Sequence, residues 1–551
     1  MNVGDLQQKL SRWAAQDREH RFFDLYHLLY DRDWLRLAHD HVAQNAGSVT
    51  AGCDGITMHD FDELREENLQ RLAEELRAQT YAPSPVRRVY IPKANGKTRP
   101  LGIAAIRDRI VQEAVRMLLE PIYEADFSQY SFGFRPTRRT MDAMRAILWS
   151  ATEHKKFFWI IEGDIASYFD TIHHWKLLML LKRRLKDGKL LRLIWRFLRA
   201  GVMEGKLFRD TLSGAPQGGI ASPLLANVYL HELDRYMERY TALSKTEKAY
   251  RRRRGQANVT YVRYADDFCV LMNGRKEEAE QMREELTTFL RDTLSLTLSQ
   301  EKTKITHLND GFRFLGFEVQ RKPGHDGMKT KVVLRIPDAA VKSVLAKLAH
   351  CHGTDGSVQA KIYAMNSILR GWCLYYQYAS GASTVFAKVD HQAFWLLAHW
   401  LAKKHGEPRM SAILRKYGRN GTLGTSTCQL IRAVRDIPSA RYRERFLKPN
   451  PYTTQEPLLR EDLPGETYWT GWEERMGMFD LRPAVLTRDH YQCQRCGTTV
   501  PHADAHVDHK RPVRRFKRPV DANTLANLQT LCRSCHSAKT ESDRQMESPV
   551  R

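Results

Sequence analysis

A multidomain α+β protein is predicted from three observations. Strands and helices alternate between residues 155 and 320, the stretch from about 338 to 447 is largely helical, and residues 484–551 form a compact Cys/His-bearing tail. With 551 residues, 42% of them hydrophobic, the chain has room for roughly three to five modules, each with a core.

Residues 1–60 read as a charged helical extension that ends in the turn signal Gly52-Cys53-Asp54-Gly55, and residues 61–85 as a helix rich in Glu, Leu and Arg. Val89 to Ile103 reads as a hairpin bent at Asn95-Gly96. A helix from about Arg107 sets Ile110, Ala114, Met117 and Leu118 on one face, and Pro121 is expected to close it. Phe157 to Ile161 reads as a buried strand that delivers Asp164 at its end. At Ser222-Pro223, an N-cap serine and a first-turn proline open a helix over Leu224 to Tyr240. The Arg251–Arg254 run is expected in a solvated loop within reach of nucleic-acid phosphate. Apolar stretches Val259–Arg263 and Phe268–Met272 flank Tyr264-Ala265-Asp266-Asp267, which reads as a hairpin with two carboxylates at its tip. Further on, Trp372, Tyr375, Tyr376, Phe394, Trp395 and Trp400 are expected in a core rather than on a stacking surface. Residues 449–465, with their prolines, read as a linker. There is no internal repeat.

The net charge is +23, with Lys and Arg spread along the whole length. Such a field implies a long polyanionic partner and salt-sensitive phosphate contacts. There is no apolar h-region at the start and no run of about 18 apolar residues, so secretion and membrane spanning are not expected. Of nine cysteines, Cys53, Cys269, Cys351, Cys373 and Cys428 are scattered and expected to be buried and reduced. The others form Cys493-x-x-Cys496 and Cys532-x-x-Cys535, a pairing that points to zinc in a reducing cytoplasm rather than to disulfides.

Adjacent carboxylates repel, so gathering Asp266 and Asp267 with Asp164 calls for a cation. Oxygen ligands with no nearby histidine or thiol favour Mg²⁺. A pair of such ions can activate a primer 3′-hydroxyl and stabilise departing pyrophosphate, which is polymerase chemistry.

Six motifs in order make the resemblance specific: Arg99-Pro100-Leu101-Gly102-Ile103, Ser131 to Pro136 (SFGFRP), Gly163-Asp164-Ile165 with Tyr168-Phe169-Asp170, Pro216-Gln217-Gly218-Gly219 with Ser222-Pro223-Leu224-Leu225, Tyr264 to Asp267, and Phe314-Leu315-Gly316-Phe317. Over nearly its whole length the chain resembles group II intron-encoded proteins, reverse transcriptases with splicing-factor activity. The resemblance implies right-hand polymerase fingers and palm over 61–325, after the extension 1–60. Asp164, Asp266 and Asp267 become the Mg²⁺-binding palm carboxylates. Phe169 matches the gate residue whose ring would clash with a 2′-hydroxyl, and Gln217 the residue supporting the templating pair. Lys97 and Arg99 lie on the hairpin that covers the incoming triphosphate; which of Lys93, Lys97 and Arg99 touches phosphate stays open. Lys302 is either a proton donor to pyrophosphate or an exposed lysine. Phe314 to Phe317 resembles a primer-holding hairpin, although strand packing also accounts for it. Leu369 to Tyr376 (LRGWCLYY) is similar to the signature of the maturase thumb, set here at 338–448. Pro223 stands where diversity-generating relatives usually carry Gln, which counts against that subtype.

After a linker or DNA-binding region at 449–483, the tail 484–551 carries His506-Val507-Asp508-His509, Asn527 and His536 between and beside the two knuckles. Four thiolates, Cys493, Cys496, Cys532 and Cys535, make a closed structural zinc site. The layout resembles an HNH endonuclease, a small zinc-stapled ββα unit. That implies His509 as general base and Asp508 and His536 as ligands of one Mg²⁺ or other divalent ion, with Asn527 either a ligand or the group that orients His509. The role of His506 stays open. Intron RNA in a lariat ribonucleoprotein, target DNA and dNTPs are the implied partners. The implied setting is the bacterial cytoplasm, at the nucleoid when the protein acts on DNA. A retron, defence or CRISPR-associated reverse transcriptase, and a splicing cofactor that no longer polymerises, are the competing readings.

Overall fold

The computed structural model describes residues 2–92, 98–152, 155–204, 207–209, 214, 218–323, 330–351, 357–426, 428–442, 447–453, 485, 486, 488–500, 505–511, 524–532, 535, 536 and 539. In chain order, strands β1 (Val86–Pro92), β2 (Thr98–Ile103), β3 (Trp159–Gly163), β4 (Val202–Glu204), β5 (Leu207–Arg209), β6 (Val259–Tyr264), β7 (Asp267–Met272) and β8 (Lys304–His307) build two four-stranded sheets. Their orders are β2-β1-β4-β5 and β6-β7-β3-β8. A three-stranded sheet follows from β9 (Phe312–Phe314), β10 (Phe317–Pro323) and β11 (Thr330–Arg335). Two small ribbons, β12 (Gly418–Arg419) with β13 (Thr422–Leu423) and β14 (His506–His509) with β15 (Leu528–Leu531), come last.

The sheet β6-β7-β3-β8 is covered on both faces, which is why its strands read as apolar runs rather than as alternating ones. Successive side chains still go to opposite sides. Ile161, Tyr261, Phe268 and Val270 join the core built with helices Ser222–Thr241 and Lys276–Leu294. Ile160, Val262, Cys269 and Leu271 join a second core with helix Thr140–Ser150, with Phe314 and Phe317, and with Cys373, Tyr376 and Phe386. The helices Val358–Tyr376 and Ala382–His405 therefore share this second core with the sheet that carries the carboxylates. Helices Asp338–His350 and Met410–Tyr417 complete that region around a third core.

Pro121 does not end its helix, which runs from Ile106 to Glu124. Proline lacks the N–H that would bond the Met117 carbonyl four residues back. Gln7 Nε2 donates to that carbonyl instead, at 2.8 Å, so the orphan acceptor is satisfied by the N-terminal helix Val3–Gln16. The arginine run is likewise not a loop: Arg251–Arg253 form the last turn of helix Lys245–Arg253. A Ser244/Glu247 capping box starts that helix, and cations at its end favour the helix dipole. Helix Ser222–Thr241 starts one residue earlier than expected, with Ala221 flanking it and Ser222 in the first turn. Among the lone cysteines, Cys269 and Cys373 are buried and Cys351 and Cys428 partly so, but Cys53 is exposed. The first residues of the expected linker are seated rather than free. Asn450 Nδ2 donates to Ser11 Oγ at 3.0 Å, and the buried Tyr452 hydroxyl donates to Glu120 at 2.6 Å. Residues 454–483 lie outside the described residues.

Buried His39 bridges Asp62 (2.6 Å) and Asp40 (3.0 Å) at the N-terminal face. Burial alone would lower its pKa, but the two carboxylate hydrogen bonds outweigh it and raise the value. Stability from this contact is full below the free imidazole value, about 6.5, and lost as pH rises through the raised one. Urea midpoints should therefore fall on the alkaline side in the wild type, and that fall should be flattened in His39→Gln.

No helix among the described residues is long and apolar enough to cross a membrane.

Candidate active sites

β6 and β7 pair from Val259↔Met272 to Tyr264↔Asp267, leaving Ala265 and Asp266 as a two-residue turn. Ala265 is left-handed at φ 58°, as a tight hairpin turn of the primed kind requires. β3 lies antiparallel to β7 and its pairing ends at Gly163↔Phe268, so Asp164 emerges beside Asp267. Gly163 has to be glycine, because a Cβ there would stand 2.1 Å from the Phe268 ring. The expected convergence of Asp164 with the Asp266–Asp267 tip thus follows from strand register.

The electrostatics agree. Asp267 has its pKa pushed up to about 6, by burial first and then by repulsion from Asp266 and Asp164, with Lys302 opposing. Its side chain nevertheless keeps an open solvent face. Lys302 Nζ donates to both Asp164 oxygens, at 3.0 and 3.1 Å. This raises the lysine's own pKa and gives Lys302 a place in the site. An all-oxygen set with mutual repulsion fits a hard divalent cation. The set is spread wider than a closed metal cage: among the described residues, only the four tail cysteines and the exposed group His59, Asp60, Glu63 bring ligand atoms within 4.8 Å of one another.

Phe169 is buried in the short helix Tyr168–Thr171, which begins four residues after Asp164, and meets the Phe134 ring edge-on at 6.3 Å. Lys97 and Gln217 lie outside the described residues, as do Lys93 and the Arg99 side chain. The backbone of Arg99 pairs with Ile91 in the β1–β2 hairpin. Gly218, left-handed at φ 110°, brings its Cα so near β2 that a Cβ would lie 2.4 Å from the Gly102 carbonyl oxygen. The glycine after Gln217 thereby packs on that hairpin.

Two features escaped the sequence reading. Arg263 sits in the apolar run of β6 and is fully buried. It holds Asp234 through two bonds of 2.8 and 2.6 Å, donates to Asn227 Oδ1 at 2.9 Å, and reaches the Ala265 carbonyl at 3.0 Å. A lone arginine inside a buried strand was the available signal, because burial of that charge demands a partner. The second feature is a clamp on the Phe314–Phe317 turn. The Tyr375 and Tyr376 hydroxyls donate to the Leu315 and Gly316 carbonyls at 2.7 and 3.0 Å, and the Tyr375 ring stacks on Phe317.

In the tail, β14 and β15 pair antiparallel from His506↔Leu531 to His509↔Leu528. A small core of Val485, Leu486, Val500, Val507, Leu528 and Leu531 lies beneath them. All four cysteine sulfurs are gathered, with Cys496 and Cys532 Sγ 3.8 Å apart. This donor set fits tetrahedral zinc. His509 is buried, Lys539 pairs with Asp508 at 3.2 Å, and the His506 and His536 rings stack at 4.6 Å. Asn527 spends its amide on the chain just past β14: Oδ1 accepts from the Arg511 N–H at 2.9 Å and Nδ2 donates to the Arg511 carbonyl at 3.1 Å. Those two bonds tie Asn527 to the backbone two residues past His509. Most of the helix of the expected ββα unit lies outside the described residues.

A carboxylate-bearing hairpin joined to a helical region and a four-cysteine cluster is the composition of a nucleic-acid polymerase with appended modules, and comparison with known families says which. The reverse transcriptase (RNA-dependent DNA polymerase) family model matches residues 91–319, the group II intron maturase-specific domain 341–418, and the HNH endonuclease 493–542. The chain is 40% identical to protein YkfC of Escherichia coli K12 over 63% of its own length and 96% of that protein's. It is 36% identical to the group II intron-encoded protein LtrA of Lactococcus lactis, covering 61% of this chain and 63% of LtrA. Against the putative COX1/OXI3 intron 2 protein of Saccharomyces cerevisiae the identity is 28%, over 92% of this chain and 65% of that one. The chain belongs to the group II intron-encoded proteins, with reverse transcriptase, maturase-specific and HNH endonuclease domains in that order.

Proposed function

We propose that this protein serves a group II intron in three ways: it aids splicing of the intron RNA, it cuts one strand of a DNA target, and it copies the intron from that cut end. In this reading residues 61–325 are fingers and palm, 338–448 the thumb, 449–483 a DNA-binding linker and 484–551 the nuclease, after the extension 1–60. The observation that carries it is the register that sets Asp164 beside Asp266–Asp267, in a chain that also holds the maturase-specific and HNH domains.

Asp164, Asp266 and Asp267 would hold Mg²⁺, which supplies charge stabilisation for the attacking 3′-hydroxyl and the departing pyrophosphate. Lys302, already on Asp164, stands ready to give a proton to the leaving group once Asp164 is otherwise engaged. Phe169 excludes a 2′-hydroxyl, Gln217 supports the templating pair, and Lys97 and Arg99 neutralise the triphosphate. The Tyr375–Tyr376 clamp ties the primer-holding turn to the thumb. In the tail, His509 takes the proton from water, Asp508 and His536 hold the divalent ion, Asn527 orients the histidine strand, and the four thiolates hold structural zinc. Intron RNA, target DNA and dNTPs are the partners, in the bacterial cytoplasm and at the nucleoid.

Extension of oligo(dT) on poly(rA) in Mg²⁺ tests the polymerase; a pure RNA-binding cofactor would give no synthesis even at high protein concentration. His509→Ala should abolish second-strand DNA cleavage and leave that extension intact, and loss of both activities would contradict separate sites.

A further inference from the structure

We infer that Phe134 sets sugar selectivity by holding the Phe169 ring in place; this rests on Phe169 being the gate. Three observations single it out. Phe134 has φ 57°, a left-handed backbone that a bulky residue adopts only under constraint, and the residue is 51% exposed rather than buried. Strained backbone of this kind clusters at functional positions. Its neighbours also leave it no freedom. Gly133 lies against the carboxylate turn so closely that a Cβ would stand 2.3 Å from the Ala265 nitrogen, and its carbonyl accepts from Asn227 Nδ2 at 2.8 Å. On the other side, buried Arg135 is fixed by Glu124 and by the Ser128 and Ser131 carbonyls, at 2.6 to 3.2 Å. Finally, among the described residues the one aromatic side chain that Phe134 meets is Phe169, edge-on at 6.3 Å.

Phe134 is therefore a positioning residue, anchored to the same Arg263–Asn227 network that holds the catalytic turn. A gate ring discriminates only if it cannot retreat when a 2′-hydroxyl presses on it. An edge-on neighbour on a rigid backbone blocks that retreat.

Ribonucleotide-to-deoxyribonucleotide incorporation ratios on an RNA template test this in Phe134→Gly, Phe134→Ala, Phe169→Ala and the Phe134→Ala/Phe169→Ala double variant. Removing the backstop should raise the ratio by about tenfold. The double variant should match Phe169→Ala alone, because Phe134 acts through that ring. Glycine accepts the left-handed backbone freely, so Phe134→Gly should melt no lower than wild type while losing discrimination, which a merely structural role would not produce. An unchanged ratio in both Phe134 variants, alongside a raised one in Phe169→Ala, overturns the inference and leaves the gate standing. An unchanged ratio in Phe169→Ala overturns both. Additive effects in the double variant overturn the claim that Phe134 works through Phe169.

Discussion

Asp267→Asn is expected to cut RNA-templated synthesis by about a thousandfold and yet to raise the melting temperature in EDTA at neutral pH. The two results come from one cause. Asp267 has its pKa pushed up to about 6 by burial and by the charges of Asp266 and Asp164. A carboxyl whose folded-state value is raised contributes stability while protonated, and that contribution is lost as pH rises through about 6. Asparagine imitates the protonated form, so at pH 7 without divalent ions the variant escapes the repulsion. Below the ordinary carboxylate value, about 3.9, the difference in melting should vanish. Adding Mg²⁺ should reverse the order, since the wild type gains ligand binding. A variant that melts lower than wild type in EDTA at neutral pH would argue against mutual repulsion at this site.

Asp234→Ala is expected to cost about 3–5 kcal/mol, because it strands the Arg263 guanidinium in a fully buried position. The pair holds Asp234 well below the usual carboxylate range despite its burial, through the charge and hydrogen bonds of Arg263. The variant should thus lose both stability and polymerisation, since Arg263 also supports the Ala265 carbonyl within the turn. Replacing both partners with apolar residues, Arg263→Met with Asp234→Leu, should recover most of the stability. Polymerisation should stay low, because the turn and Asn227 lose their donor. Denaturant melts with primer extension on the three proteins measure this. Equal loss of stability in the single and double variants would show that the pair's charges are not what matters there.

Much of this was legible beforehand because local chemistry and tertiary role coincide. An apolar run, a short tip bearing two carboxylates and a second apolar run spell out the β6–β7 hairpin, and the Cys-x-x-Cys spacings announce the four-cysteine cluster. The Asp164 contact was readable as well, since a buried strand delivering a lone carboxylate needs a partner. What escaped depends on distant packing. The helix continues through Pro121 with the freed carbonyl satisfied by Gln7, more than a hundred residues away. Arg263 looked like the end of an apolar run because its partners, Asp234 and Asn227, sit on helix Ser222–Thr241, some thirty residues earlier. The strain at Phe134 is set by neighbours on both sides of it, and neither the strain nor the contact with Phe169 leaves a trace in composition or periodicity.

Iron-mediated backbone cleavage tests the central claim most directly. Fe²⁺ exchanged into the proposed Mg²⁺ positions reduces added hydrogen peroxide to hydroxide and a hydroxyl radical, with ascorbate returning Fe³⁺ to Fe²⁺, and the radicals cut only the nearby chain. Cuts should appear both around Asp164 and around Asp266–Asp267, be competed by Mg²⁺, and disappear together in Asp164→Asn. Cleavage at only one of the two segments, or at both but unchanged in Asp164→Asn, would show that the three carboxylates do not share a cation site.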